Sequence, residues 1–195
     1  MSSYTALAEV GESLTAVLWQ EIQLDPVVNA LIDTENKISL KSPADLANDV
    51  SVRLSIYLYR VTEDPYAKNQ FPAYGNGAQL RKPPLTLDLF YLITPLVGEP
   101  RDQQIVLGKV MQVLYDRAIL AGSDLVGSLA ISNEPLRAIL NSVSLEETAR
   151  VWQALELSYR LSICYVVRVA IVDSTREQFL QPVLEKSGTY GEVAR

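Results

Sequence analysis

The chain has 195 residues, of which 48% are hydrophobic and 21% are charged. These are ordinary values for a globular protein, and the length predicts one domain with an appendage. The net charge is −6, and residues 1–50 hold all of this excess as eight acids and two bases, whereas the rest holds 15 of each sign. Because DNA and RNA binding requires a basic surface, we expect no nucleic-acid partner.

The residue types needed for common catalytic and metal sites are scarce. Histidine is absent and Cys164 is the only cysteine. The chain therefore lacks the residue that most often transfers protons near neutral pH and ligates metals, and it cannot form an intrachain disulfide. We expect no catalytic residue, no cofactor and no metal. A single thiol also suits assembly in a reducing cytoplasm.

The first predicted element is an amphipathic helix over residues 3–24, whose apolar residues follow the 3.6-residue period. Glu9 and Glu12 lie off the apolar stripe, and we predict that these acids contact a basic partner surface. A signal peptide would instead have a basic start and an apolar run here. Residues 27–40 are ambiguous between a helical turn and a short strand.

Alternating apolar and polar residues predict a strand over residues 50–61. Its polar face carries Arg53, Tyr57 and Tyr59. This face either lies under a helix or meets a neighbouring subunit, and the pattern does not separate the two.

A loop without a regular period follows over residues 62–84, with four prolines and two glycines. Loops of this length are usually functional or disordered. Aromatic residues in loops are enriched at interfaces. We predict that Tyr66, Phe71 and Tyr74 contact a partner, the alternative being that they fold back onto the domain.

Three elements are predicted next: a strand over 85–94, a helix over 101–121 that Gly122 ends as a C-cap, and a short strand over 136–143. No stretch in the chain reaches the roughly 18 apolar residues that a membrane span needs, so we expect no insertion into a membrane.

The C-terminal half of the body contains the strongest local signals. Residues 144–147 form a capping-box pattern that opens a helix to residue 155, with Leu145 on its inner side. A strand over 159–172 follows, with Leu161 on its apolar face, so Leu161→Asp is expected to unfold the domain. Cys164, on the other face, is interpreted as a structural residue.

The last segment, residues 174–195, has no sustained period and is predicted to be an arm or tail outside a domain over 1–173. Within this arm we predict that Phe179 and Leu180 contact a partner. The order of elements predicts an α+β domain with one largely antiparallel (mixed) sheet flanked by helices.

Four segments in chain order carry a resemblance to a known family. They read RLSIYLYRVTE (53–63), PLTLDLFYLIT (84–94), DQQIVLGKVMQ (102–112) and SLEETARVW followed by YRLS (144–162). The ordered set resembles the cap, or tail-terminator, proteins of phage-tail-like contractile injection systems, from about residue 5 to 173. The chain departs from the family in DPYAKN (64–69), where family members have Asn first and Arg before the final Asn, and in its shorter C-terminal region.

The resemblance implies a structural role without enzymatic activity. Such caps form a six-fold ring at the end of the inner tube, stop its growth and anchor the last sheath ring. The implied partners are further copies of this chain, the inner tube protein and the sheath protein, in a particle that is either released or attached to a membrane. Heterologous contacts close such rings, and the strand over 159–172 and the arm are expected to pair with another chain by β-augmentation. The alternatives are another tail-completion or tube–sheath adaptor protein, and a small ligand-binding domain or enzyme.

Overall fold

The computed structural model of the chain describes residues 4–65, 73–74, 79–81, 84–132, 134–172 and 177–179. Within these residues the helices α1 to α5 are, in chain order, Ala6–Ile22, Pro26–Asn29, Pro100–Asp116, Gly127–Ser132 and Leu145–Ala154. The strands β1 to β9 are Ile38–Ser39, Leu54–Glu63, Ala73–Tyr74, Gln79–Arg81, Leu85–Pro95, Ile119–Leu120, Leu136–Leu140, Ile163–Val172 and Glu177–Phe179. Short 3-10 turns lie at Glu35–Lys37 and Gly122–Asp124.

The described strands form two sheets. The larger has the order β1-β2-β5-β8-β7-β6, in which β1 and β2 are parallel and the other neighbours antiparallel. The smaller has the order β3-β4-β9 and is antiparallel. This confirms the predicted α+β domain with a mixed, largely antiparallel sheet flanked by helices. The division between a domain over 1–173 and an arm over 174–195 stays a prediction.

Helices α1 and α3 cover one face of the six-stranded sheet and form the larger core. The apolar stripe of α1, including Val10, Leu14 and Leu18, is buried against strand residues such as Leu54 and Leu89. The helix predicted over 3–24 is thus confirmed over most of its length, and its inner face is the predicted one. The ambiguous segment over 27–40 contains the end of the short helix α2 and the short strand β1.

Helix α5 lies on the opposite face of the sheet. Its start is the predicted capping box: Glu147 donates its backbone N–H to the Ser144 hydroxyl, and the Glu147 carboxylate accepts from the Ser144 backbone N–H. Trp152 is buried there against Leu92, and Tyr59 of the polar strand face packs against the same cluster. The polar face is therefore covered by a helix at Tyr59.

Three predicted boundaries and orientations are wrong. Strand β2 starts at Leu54 rather than at residue 50, because Asp49 accepts hydrogen bonds from Ser51 in a turn that holds the preceding chain away from the sheet. The strand predicted over 159–172 starts only at Ile163, so Leu161 precedes β8 and is 40% exposed instead of buried. Leu145, predicted on the inner side of α5, is exposed at the start of that helix.

The predicted C-cap at Gly122 is also wrong. Helix α3 ends at Asp116, and the chain turns to form β6, which pairs with β7. Arg117 fixes this exit, because its guanidinium bonds to Glu21 of α1 at 2.5 Å and to Asp124 at 3.2 Å. Gly122 instead starts a 3-10 turn, with φ of 58°.

Strand β8 cannot be the edge for pairing with another chain that the sequence predicts. It lies inside the larger sheet, hydrogen-bonded to β5 on one side and β7 on the other. In the described part of this sheet the edges are β1 and β6.

Candidate interaction surfaces

The residues predicted to contact a partner in the loop and the arm are described only in part. Tyr66, Phe71 and Leu180 lie outside the described residues. Tyr74 is in β3 and Phe179 is in β9. Their roles as contacts stay predictions.

The backbone nevertheless connects these two segments. Strand β4, from the loop, pairs with β3 on one side and with β9, from the arm, on the other. The register places Gln79 opposite Phe179 and Arg81 opposite Glu177. The sequence predicts the loop and the arm as separate contact elements, whereas the structure joins them in one sheet.

The Glu9 carboxylate is engaged within the chain. It accepts hydrogen bonds from the hydroxyls of Thr5 and Ser128, each at 2.6 Å, and from the Leu129 backbone N–H at 3.2 Å. It thereby caps the first turn of α4. Gly127 fits this contact, because its φ is 60° and a Cβ there would lie 2.6 Å from the Glu9 carboxyl carbon.

The hydrogen bonds decide the ionisation of Glu9. Burial raises the pKa of the Glu9 carboxyl, but hydrogen bonds from Ser128, Thr5 and the backbone of Ser128 and Leu129 outweigh that effect and hold the pKa below its usual value. The ionised Glu9 carboxylate therefore stabilises the folded chain fully at a pH above the Glu9 pKa of the unfolded chain. This stabilisation is lost as the pH falls through the lower Glu9 pKa of the folded chain.

Replacing Glu9 by Gln is expected to lower the free energy of unfolding by about 1–2 kcal/mol at pH 7, because charge-assisted hydrogen bonds to α4 are weakened. The difference from wild type should start to shrink as the pH falls below the usual glutamate pKa of 4.5, and it should disappear only below the lower pKa of the folded chain, where wild-type Glu9 is neutral in both states. Urea unfolding at pH 7 and at a series of lower pH values measures both effects. Glu12→Gln is the control, since Glu12 is exposed, and equal losses for the two variants would contradict the capping role.

Glu12 lines an open groove at the β1 edge of the larger sheet. The groove has a volume of about 270 Å³ and lies between α1, the first 3-10 turn and β1. Glu35 is the second carboxylate in it, and Ile38 and Leu40 contribute apolar surface. Both glutamates are exposed, and neither forms an ion pair with the residues that the structure describes.

Three arginines lie on the face of the larger sheet against which α5 packs, and this set is called the arginine face below. Arg137 and Arg168 are direct cross-strand neighbours on β7 and β8. Arg60 is on β2, with its guanidinium 4.6 Å from the centre of the Phe90 ring. The sequence pattern does not identify this set, because the three residues are far apart in the chain and only the strand register brings them together.

Asp88 is the acidic partner within this arginine face. It lies opposite Arg168 on β5, and one of its oxygens is 3.7 Å from the Arg168 Nε. Burial raises the pKa of the Asp88 carboxyl, whereas the charge of Arg168 opposes that rise. Arg168 therefore has a nearby carboxylate, which Arg137 lacks among the described residues.

The groove beside α5 has a volume of about 370 Å³ and contains Tyr59 and Cys164. Burial raises the pKa of the Cys164 thiol, and it raises the pKa of Tyr59 to about 12. Both groups are neutral near pH 7, so the thiol is not activated as a nucleophile. This supports the interpretation of Cys164 as a structural residue.

A larger apolar groove, of about 490 Å³, lies between α3 and β7 and is lined by Met111, Tyr115 and Leu140. In the described ranges, no three His, Cys, Asp or Glu residues are grouped as a metal ion would require. None of the described helices is long and apolar enough to cross a bilayer.

Comparison with known proteins identifies both a family and a fold. The family model of the Pvc16 N-terminal domain matches residues 9–186. The structure is similar to the sheath/tube terminator of the extracellular contractile injection system PVC in its extended state, solved by cryo-EM, with a TM-score of 0.63 and 20% identity over 100% of this chain. It is also similar to the tube-terminating cap of the anti-feeding prophage, with a TM-score of 0.51 and 21% identity over 84% of this chain.

The chain spans 66% of the PVC terminator and 60% of the anti-feeding prophage cap, which is less than two thirds of each. No curated protein matches it significantly. At this level of identity, the two solved structures establish the likeness of the fold. The family match covers most of the sequence, and the chain therefore belongs to the Pvc16 N-terminal domain family.

Proposed function

We propose that this chain is a structural cap of a contractile injection system, which ends the inner tube and anchors the last sheath ring. The observation that carries the proposal is the similarity of its fold, over its whole length, to a solved sheath/tube terminator. The family match to the Pvc16 N-terminal domain supports it independently of the coordinates.

The proposed partners are further copies of the chain in a six-fold ring, the tube protein and the sheath protein. A head-to-tail ring uses two different surfaces of each copy, and the acidic groove and the arginine face supply two surfaces of opposite charge. The role requires no bond-making chemistry, and the neutral thiol of Cys164 fits a structural function. We place assembly in the cytoplasm, where a lone thiol stays reduced.

Electron microscopy of particles assembled without the chain tests the proposal. We expect tubes of uncontrolled length and sheaths detached from the end distal to the baseplate, and restoration of both on adding the wild-type chain. Particles of normal length with attached sheath would contradict the proposal.

The position of the chain on the particle separates a cap from the alternative role. Gold-labelled chain is expected at the end distal to the baseplate. Label at the baseplate end would instead favour a tube–sheath adaptor or another tail-completion protein.

Removal of residues 174–195 is expected to leave the six-stranded sheet folded, because all of its strands and both cores precede this segment. The melting temperature should change by less than about 4 °C. Binding to tube or sheath ends should weaken by about tenfold or more, since the arm contributes β9 to the smaller sheet.

Thermal unfolding and co-sedimentation with tubes and sheaths measure the two effects of this truncation. A shorter truncation, of residues 180–195, keeps β9 and is the control for the loss of this strand. Failure of the 174–195 truncation to fold would show that the arm belongs to the core of the domain.

A further inference from the structure

Arg137 and Arg168 form an energetically unfavourable pair on the arginine face. They are directly opposite each other on neighbouring strands, and like charges in such positions destabilise a sheet. Arg168 is compensated by Asp88, and Arg60 lies over the Phe90 ring. Arg137 is exposed and has neither kind of partner among the described residues, so it is the arginine of the three that is free to bind an external carboxylate.

The complementary charges are on the same chain. The acidic excess lies entirely in residues 1–50, and there Glu9, Glu21 and Asp25 already bond to groups of their own chain. Glu12 and Glu35 do not form such ion pairs with the described residues, and both line the groove at β1. The groove thus combines two uncompensated carboxylates with apolar surface, which suits an arginine head and its aliphatic stem.

The two surfaces lie toward opposite edges of the larger sheet. The groove is at β1, whereas Arg137 is on β7, beside the opposite edge strand β6. These edges are five strand spacings apart, which is roughly 24 Å at about 4.8 Å per spacing. Each copy therefore presents Arg137 toward one edge of the sheet and the acidic groove at the other edge, which is the arrangement that a heterologous, head-to-tail contact needs.

We propose that Arg137 of one copy binds the groove of Glu12 and Glu35 in the next copy, and that this contact joins the copies head to tail. The inference deepens the proposed cap function by naming the surfaces of its self-interface, and it rests on that function for the expectation of a ring. Charge complementarity also gives the contact a fixed order, because like surfaces repel.

Charge-reversal variants test the contact, with sedimentation velocity and light scattering as the measurements. Arg137→Glu and the double variant Glu12→Lys/Glu35→Lys should each weaken self-association by about 100-fold or more relative to wild type. Mixing the two variants in equal amounts should restore association, because every contact in an alternating assembly then joins opposite charges. Wild-type association should also weaken as salt is raised.

Arg101→Glu is the matched control, since Arg101 is exposed in the first turn of α3, where a negative charge is favoured. This control should associate as wild type does. Circular dichroism checks that each variant is folded, and the groove variant tests the contact even if the Arg137 variant does not fold. A wild-type chain that stays monomeric, unchanged association of either variant, or a mixture that stays dissociated would overturn the proposal.

The same variants separate this inference from the proposed function. If charge-reversed chains cap particles as wild type does, the contact is wrong and the cap function stands. If the mixture associates but labelled chain is absent from particle ends, the contact stands and the cap function is wrong.

Discussion

Val167→Asp is expected to prevent folding. Val167 is completely buried in the larger core, on the interior strand β8, and its neighbours across the sheet are Leu89 and Ala138. An aspartate there would have an unpaired carboxyl in an apolar environment, which costs several kcal/mol, and the valine packing would also be lost. Since domains of this size have only about 5–15 kcal/mol of stability, most of it would be removed.

Leu161→Asp is the matched control for this prediction. Leu161 is 40% exposed and precedes the first residue of β8, so an aspartate there stays in contact with water. We expect its free energy of unfolding to fall by about 1 kcal/mol or less. Circular dichroism and urea unfolding of the two variants measure the contrast, and a folded Val167 variant would place the core on the other face of β8.

Val167 and Leu161 show which features of β8 the sequence pattern predicts and which it does not. The alternation in residues 159–172 correctly predicts which face of β8 carries Tyr165 and Val167. It does not predict where the strand starts, because this depends on how the chain leaves α5, with Glu156 at a positive φ of 56°. That turn is set by the docking of the helix on the sheet, which is a long-range effect.

Elements determined by local interactions are the ones that the sequence predicts best. The start of α5 follows from a capping box within four residues, and α1 follows from the period of its apolar side chains. Strand order is different, because it depends on pairing between distant segments. For this reason the sequence predicts β8 correctly as a strand but wrongly as a free edge.

The arginine face could not be predicted because it depends on a bulge in β2. Simple alternation would place Arg60 on the same face as Leu58, toward the larger core. The pairing shifts between these two residues, so Leu58 lies opposite Tyr91 whereas Arg60 lies opposite Phe90. One extra residue, Tyr59, therefore turns Arg60 to the other face, where Arg137 and Arg168 also lie.

Trp152→Ala is expected to destabilise the chain by about 3–5 kcal/mol, because it removes the side chain that anchors α5. Trp152 is 1% exposed and packs against Leu92 and Cys164 beneath the helix. Its indole N–H donates to the Ser162 hydroxyl at 3.2 Å, and its ring meets Tyr159 edge-on with centroids 6.4 Å apart. The truncation would leave a cavity between α5 and the sheet, so the helix should detach more often.

Trp152→Phe separates packing from hydrogen bonding in this anchor. The phenyl ring keeps much of the apolar contact but cannot donate to Ser162, so we expect a loss of about 1–2 kcal/mol. Urea unfolding gives both values, and the labelling rate of Cys164, the only thiol in the chain, reports how often α5 opens. Labelling should be fastest in Trp152→Ala, since the thiol lies beneath this helix. If the Ala and Phe variants lower the free energy of unfolding equally and leave the labelling rate unchanged, the indole ring does not hold α5 on the sheet.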